Sequence, residues 1–345
     1  LALPTRGTKF REVMSSAGGA VARWIAPFLT VAAVAGVGVT AVSEPIAAGP
    51  AVRLASDANP LVGRPFYVNP DSKGMRAARG VQPPNPQLDA VVNTPTAYWM
   101  DQLSTPAVDA KYIAAAQAAG TIPILALYGI PHRDCGSFAA GGFGSAGAYR
   151  GWIDGVAAAI GPGPAAVILE PDALAMADCL SGDQRQERFD LIRYAVDTLT
   201  RNPATAVYVD AGHSRWVAAG DMAARLNEVG VAKARGFSLN TANFFTTEEE
   251  IGYGEQISSM TGGKNYVIDT SRNGAGPVDG ELSWCNPPGR ALGSPPTTAT
   301  AAPHADAYLW IKRPGESDGS CGRGEPSAGT FVTQYAIDLA RNAGR

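Results

Sequence analysis

The sequence predicts an α/β fold, a seven-stranded parallel (β/α) barrel of the TIM-barrel kind, on three observations. Seven short apolar or β-branched runs recur, helix-period segments lie between most of them, and almost every run ends in a polar or aromatic cluster. Strands alternating with helices imply a parallel sheet with right-handed crossovers. A doubly wound open sheet would satisfy that alternation but would spread the polar strand ends along a crevice. A barrel gathers them around one mouth, where active sites sit. No GxGxxG or P-loop follows the first run, which argues against nucleotide binding.

The predicted strands are Phe66 to Val68, Ile122 to Leu127, Ala166 to Leu169, Ala206 to Val209, Phe237 to Leu239, Tyr266 to Ile268, and Ala307 to Ile311. Their polar ends are Asn69, Tyr128, Glu170-Pro171-Asp172, Asp210, Asn240, Asp269 and Lys312. Over 146–160, Tyr149, Trp152, Ile153, Val156 and Ile160 fall on one helix face, as do Phe189, Ile192, Val196 and Leu199 over 181–201. A last helix is predicted over 329–342. The Pro-, Gly- and Thr-rich stretch 272–305 reads as a long irregular segment bordering the mouth.

Before the first strand the sequence reads differently. Residues 24–43 carry no charged side chain, follow Arg6, Lys9, Arg11 and Arg23, and end at Glu44. A basic flank and a run of that length fit an export signal or a membrane anchor. The expected division is therefore 1–56 as signal or tether plus linker, and 57–345 as the barrel. The positive-inside rule puts everything after Glu44 outside the membrane, secreted or anchored at the outer face. Cys135, Cys179, Cys285 and Cys321 all lie in that exported part. Four cysteines allow three pairings; Cys135–Cys179 and Cys285–Cys321 are favoured because each encloses a loop of moderate size. No CxxC or HExxH spacing supports a metal site. A formal net charge of −3 offers no basic surface for nucleic acid, whereas a neutral polymer is an acceptable partner.

Four strand ends carry candidate chemistry: Tyr128 through Asp134, Glu170-Pro171-Asp172, Asp210 through His213 to Trp216, and Lys312 through Glu316 to Asp318. Cleaving a glycosidic bond needs a proton on the leaving oxygen and a nucleophile or activated water on the other side, commonly two carboxyl groups. The acid must hold its proton, so burial or a neighbouring anion must raise its pKa. Trp99, Trp216 and Trp284 offer faces on which sugar rings can stack. Singly, each aspartate has a plainer reading: Asp134 pairs with Arg133, Asp172 caps a helix, Asp210 braces a turn, and Asp318-Gly319 is a turn dipeptide. Four at successive strand ends are harder to reduce to turns. A serine hydrolase using Ser214 or Ser317 lacks the GxSxG elbow.

Three strings in order closely resemble the signatures of glycoside hydrolase family 6, above all its secreted mycobacterial members: Tyr128 to Cys135 with its glycine loop, VILEPDALA at 167–175, and WIKRPGESDG at 310–319. The resemblance extends from about residue 57 to 343. It implies a distorted seven-stranded parallel barrel and an inverting cellulase, with neither cofactor nor metal. It implies Asp172 as general acid and Asp134 as the residue that raises its pKa and helps hold the water. Asp318 would be the base, Asp210 an electrostatic support, and Tyr128 would lie beneath the distorted sugar. Trp99, Asp101, His213, Trp216, Asn243, Trp284, Lys312 and Glu316 match glucan-contacting positions, and the family's disulfides match the favoured pairing. Ala139-Ala140 stands where many members have a serine that positions the water, which puts the rate in doubt more than the reaction. The compact 285–321 region favours an open cleft and internal cutting. The expected partner is thus a β-1,4-glucan, cut by a monomeric endoglucanase. The alternatives are a cellobiohydrolase of the same family or a surface glucan-binding protein with weak or no turnover.

Overall fold

A computed structural model describes residues 58–345. The apolar run 24–43 and the expected boundary at 56/57 lie outside them. The sheet strands are β1 (Tyr98–Met100), β2 (Ile124–Leu127), β3 (Ala165–Leu169), β4 (Thr205–Asp210), β5 (Gly236–Leu239), β6 (Asn265–Asp269) and β7 (Ala305–Leu309). They lie in sequence order, each parallel to its neighbours. Helices α1 (Lys73–Arg79) and α2 (Pro86–Val92) precede β1. Then α3 (Pro106–Ala118), α4 (Ala146–Ile160), α5 (Gly182–Leu199), α6 (Ala219–Glu228) and α7 (Thr247–Met260) each connect two strands, and α8 (Thr333–Asn342) closes the chain. Between β6 and β7 the chain runs without helix or strand, as its composition predicts.

Period-two alternation explains why the strands close into a barrel. Ile124, Ala126, Ala166, Ile168, Ala206, Tyr208, Val267, Ala307 and Leu309 pack into one inner cluster. The intervening Leu125, Leu127, Val167, Leu169, Val207, Val209, Phe237 and Ile268 pack outward with α4 and α5. Both faces are buried, as crossover helices require of a parallel sheet. Alanine recurs inside because a barrel of few strands has a narrow interior. Truncating a buried core residue such as Ile168 to alanine costs about 2–5 kcal/mol. Near the N-terminal end of the strands, the Tyr208 hydroxyl donates to Asp306 (2.8 Å), which also pairs with Arg235 (2.7 Å).

The helices start where their caps say they should. Ser145 accepts from Ala148 N, Ser181 forms a capping box with Gln184, and Thr246 accepts from Glu249 N. The edge strands β1 and β7 form no ladder with each other. Instead Ala97 N donates to Trp310 O (2.9 Å) and Trp99 Nε1 donates to Ile311 O (2.8 Å), so the curled sheet meets along a thin seam.

Two sequence expectations are corrected. Phe66 to Val68 is no strand: Phe66 makes only an isolated bridge to Ile122. Pro65 and Pro70, with their fixed φ and missing N–H, bracket it too closely for a ladder. The seventh strand is β1, a three-residue aromatic segment with no β-branched run to announce it. Accordingly Asn69 ends no strand; its side chain accepts from Asp71 N in a turn before α1. The end of β1 is Met100-Asp101. The last helix begins at Thr333, four residues later than the predicted 329.

Candidate active site

The inner-face alternation continues past the strand ends. Tyr128 follows Ile124 and Ala126, Glu170 follows Ala166 and Ile168, Asp210 follows Ala206 and Tyr208, and Asp269 follows Val267. Polar side chains thereby stand in the mouth at the end of an apolar bore. The backbone there is strained. His132, Asp134, Cys135, Glu170, Asp172, Asn240 and Ala242 all adopt positive φ, between 47° and 69°, at a cost of about 1–3 kcal/mol each.

Buried polar groups hold this strain in place. Glu170 accepts from Gly129 N (3.0 Å) and Ile130 N (3.0 Å), fixing the turn after Tyr128. Gly129 is needed there, since a Cβ would come within 2.8 Å of the Trp152 ring. Asp269 accepts from Ala242 N (2.9 Å), Ser271 N (2.9 Å), Ile311 N (3.2 Å) and Lys312 N (2.8 Å), so one carboxylate draws the ends of β5, β6 and β7 together. The Cys135–Cys179 disulfide ties the Asp134 loop to the 3₁₀ turn after β3, and Cys285–Cys321 ties the long β6–β7 segment beside Asp318. Both pairings are those the sequence favoured.

Asp172, Asp210 and Asp134 form an acidic group. Asp210 Oδ1 accepts from Asp172 N (2.9 Å) and Gly212 N (3.0 Å); its Oδ2 accepts from Ser238 Oγ (3.0 Å) and Thr241 Oγ1 (2.7 Å). Burial still raises Asp210 to about 6, because all four donors are neutral. Burial, then Asp210 and Asp134, push the Asp172 carboxyl well above the ordinary carboxylate range, against a smaller pull from Lys312. Asp134 is raised by burial, with the Ala139 N–H (2.6 Å) and Arg133 drawing it back. The backbone of Ala139, one of the two alanines in the expected serine's place, thus braces this carboxyl directly. The Tyr128 phenol is raised by burial, then by Asp172 and Asp134, and lies beneath the Arg133 guanidinium. These four side chains therefore converge.

Asp318 is built differently. Its Oδ2 meets Arg272 Nη1 (2.7 Å) and accepts from Asn286 N (3.0 Å), while Oδ1 meets Lys312 Nζ (3.0 Å). Burial alone would raise it, but Arg272 and Lys312 overcome that and hold it below its usual value. Lys312 draws down both Asp172 and Asp318, the latter in direct contact.

The residues expected to contact glucan differ in their surroundings. Trp216 and Trp284 are 40% and 36% exposed, available as stacking faces. His213 stacks on Phe245 at 4.2 Å, and burial lowers its pKa to about 4. Trp99 crosses Tyr128 edge-on at 5.4 Å. Asp101 sits 3.6 Å from Arg133, and Asn243 donates to Thr241 O. Glu316 is taken up inside the protein, 3% exposed and paired with Arg313. Sequence reasoning gave no role to Arg272, Asn286, Glu170, Asp269 or Thr241, although Glu170 stood within a strand end marked for candidate chemistry. Among them only Glu170 and Asp269 carried a signal, as acidic groups at strand ends. Among the described residues no group of three or more His, Cys, Asp or Glu could hold a metal ion.

The glycosyl hydrolases family 6 matches residues 61–343. Among solved structures, the endoglucanase of Mycobacterium tuberculosis, in complex with methyl-cellobiosyl-4-deoxy-4-thio-β-D-cellobioside, is 71% identical with a TM-score of 0.82. The match covers 84% of this chain and 100% of that one. Endoglucanase A of Cellulomonas fimi is 46% identical over 81% of this chain, and Endoglucanase A of Thermobispora bispora 41% identical over 94%. The chain spans 61% and 70% of the lengths of those two relatives.

Proposed function

This chain belongs to glycosyl hydrolase family 6, and from that membership and its carboxyl geometry we propose that it is an inverting endo-β-1,4-glucanase that cuts internal bonds of cellulose-like glucans. The observation that carries the reading is the buried Asp172 carboxyl, pushed well above the ordinary carboxylate range by burial and by Asp210 and Asp134. Such a group can give its proton to the leaving oxygen near neutral pH, where an ordinary aspartate has none to give. Water attacks the opposite face of the sugar, held by Asp134 and Asp318. Two cations make Asp318 a weak proton acceptor but keep it ionised. Its part is then to orient the water and to stabilise the positive charge that develops on the ring. Tyr128 lies beneath that ring, and Trp99, Trp216, Trp284, His213, Asn243, Asp101 and Lys312 hold the sugars on either side. Internal cutting is supported by the endoglucanase relatives and by the exposed Trp216 and Trp284 faces.

Residues 57–345 form the catalytic barrel in this reading. Residues 1–56 supply export or a tether through the uncharged run 24–43, so a monomeric enzyme meets its polysaccharide outside the cell. The test is NMR of cellohexaose hydrolysis during the first turnovers. Inversion of a β-linkage yields the α-anomer at the new reducing end, with cuts at internal bonds. A β-anomer formed first would overturn inversion, and release of cellobiose units from one end alone would replace endo by exo action.

A further inference from the structure

The segment after β4 carries His213 and Trp216; its first residues are tied to β5, Ala211 N donating to Ser238 O (2.9 Å) and Gly212 O accepting from Asn240 N (2.7 Å), but beyond Gly212 few bonds of its own fix its place. There the internal bonds are Trp216 N to His213 O (3.1 Å) and Arg215 N to His213 Nδ1 (3.3 Å). The remaining bonds on 214–217 come from the start of α7. Ser214 N donates to Glu250 Oε1 (3.0 Å), Arg215 forks onto Glu249 (2.6 and 3.0 Å), and the Tyr253 hydroxyl donates to Val217 O (2.7 Å). These attachments are unequal. The Arg215–Glu249 pair is exposed, with side-chain exposures of 53% and 28%, and such pairs contribute little. Glu250 is wholly buried, and its hydrogen bond to Ser214 N is shielded from competing water, which strengthens it whether or not the carboxyl is charged.

A buried carboxyl is an expensive way to hold one N–H. Burial raises Glu250 to about 7; the Ser214 backbone N–H draws it down, while Glu249 and Asp210 push it up. Arg215 from the β4 segment, and Tyr253 from its own helix, also feel its charge. The Ser214 hydroxyl and Glu250 Oε2 are buried, and neither makes a hydrogen bond among the described residues. This group adjoins the loop that presents Trp216 and is electrostatically joined to Asp210.

We infer that Glu250 is a positioning residue for glucan binding: through the Ser214 N–H it sets His213 and Trp216 in place, and so governs how firmly the sugars over Trp216 are held. The inference rests on the endoglucanase reading and deepens it. Two variants separate reach from charge. Glu250→Gln keeps an acceptor at the right distance and loses the charge; Glu250→Asp keeps the charge and withdraws the acceptor by one methylene. Expected for Glu250→Asp is a KM for cellohexaose raised about tenfold with kcat within about threefold of the parent, a split that marks lost uniform binding. Glu250→Gln should stay within about twofold in both. The opposite order, or equal loss of kcat in both variants, overturns the inference. Calorimetric titration of cellohexaose into Asp172→Asn protein separates the two levels. No binding there sinks the functional reading, whereas binding that Glu250→Asp leaves unweakened sinks this inference alone.

Discussion

The barrel mouth buries aspartates on two sides, and the two sides treat them oppositely. At the ends of β3 and β4, the Asp210 carboxylate is met by backbone N–H groups and hydroxyls, all neutral, and one of them is the N–H of Asp172, whose own carboxyl is buried among acidic neighbours. Past the end of β7, Asp318 is met by a guanidinium and an ammonium. The first pair is pushed above the carboxylate range and the second held below it. The residue type is the same, so the difference lies in what faces it. One side can store a proton and the other a permanent negative charge, which are the two states that hydrolysis of a glucan needs at the same pH.

Removing the stored proton breaks the comparison at its strongest point. Asp172→Asn should lower kcat on cellohexaose by about 10²–10⁴-fold, the usual worth of general acid catalysis. The asparagine keeps the shape and the backbone N–H that donates to Asp210, so the protein should fold. An aryl cello-oligoside with an acidic phenol needs no proton on departure, so its hydrolysis should suffer far less. Equal loss on both substrates would remove Asp172 from the acid role.

On the other side the largest effect should fall on stability. Arg272→Met takes one cation from a buried pair whose side chains are 0% and 6% exposed. Breaking such a pair costs about 3–5 kcal/mol, because the remaining charge stays buried. The pH dependence has a definite sign. The folded-state pKa of Asp318 is depressed, so its contribution is present above the unfolded value and is lost as pH falls through the folded one. The stability gap between parent and variant, measured by denaturant unfolding, should be full at pH 7 and shrink below about pH 4. A gap independent of pH would mean that Arg272 acts by packing alone.

How much of this was legible depends on how far each interaction reaches along the chain. The barrel was readable because its inner and outer faces alternate within single strands, as in Ile124 to Leu127 and Ala165 to Leu169. Asp172 and Asp210 were readable because they end such strands. Strand β1 was not, because Tyr98–Met100 has neither length nor β-branching, and the seam contact that fixes it comes from Trp310. Arg272 and Asn286 were hidden for a similar reason. They lie in the irregular stretch before β7, where no period applies, and meet Asp318 across 46 and 32 residues of chain. The sequence could name the charged partners of Asp318 no better than it could trace that stretch.

His213 gives the finest test of the rule that surroundings set the charge. It sits on the proton-storing side, against Phe245, and accepts the Arg215 N–H at Nδ1. Burial lowers its pKa to about 4, with Arg215 adding to the fall and Glu249 opposing it. It should therefore stay neutral wherever the enzyme works and contribute its ring rather than a proton. His213→Asn should raise KM by about threefold, a stacking-sized loss, and leave the shape of the pH–rate profile between about 5 and 8 unchanged. Stability should show the depressed pKa instead. As pH falls from about 6.5 towards 4, the unfolded chain takes up a proton that the folded one refuses, so the parent loses stability that the variant does not. The difference between the two should close over that window. A kinetic limb near pH 6.5 that vanishes in the variant would instead make His213 a participant in proton transfer, and the neutral side of the mouth would no longer be neutral.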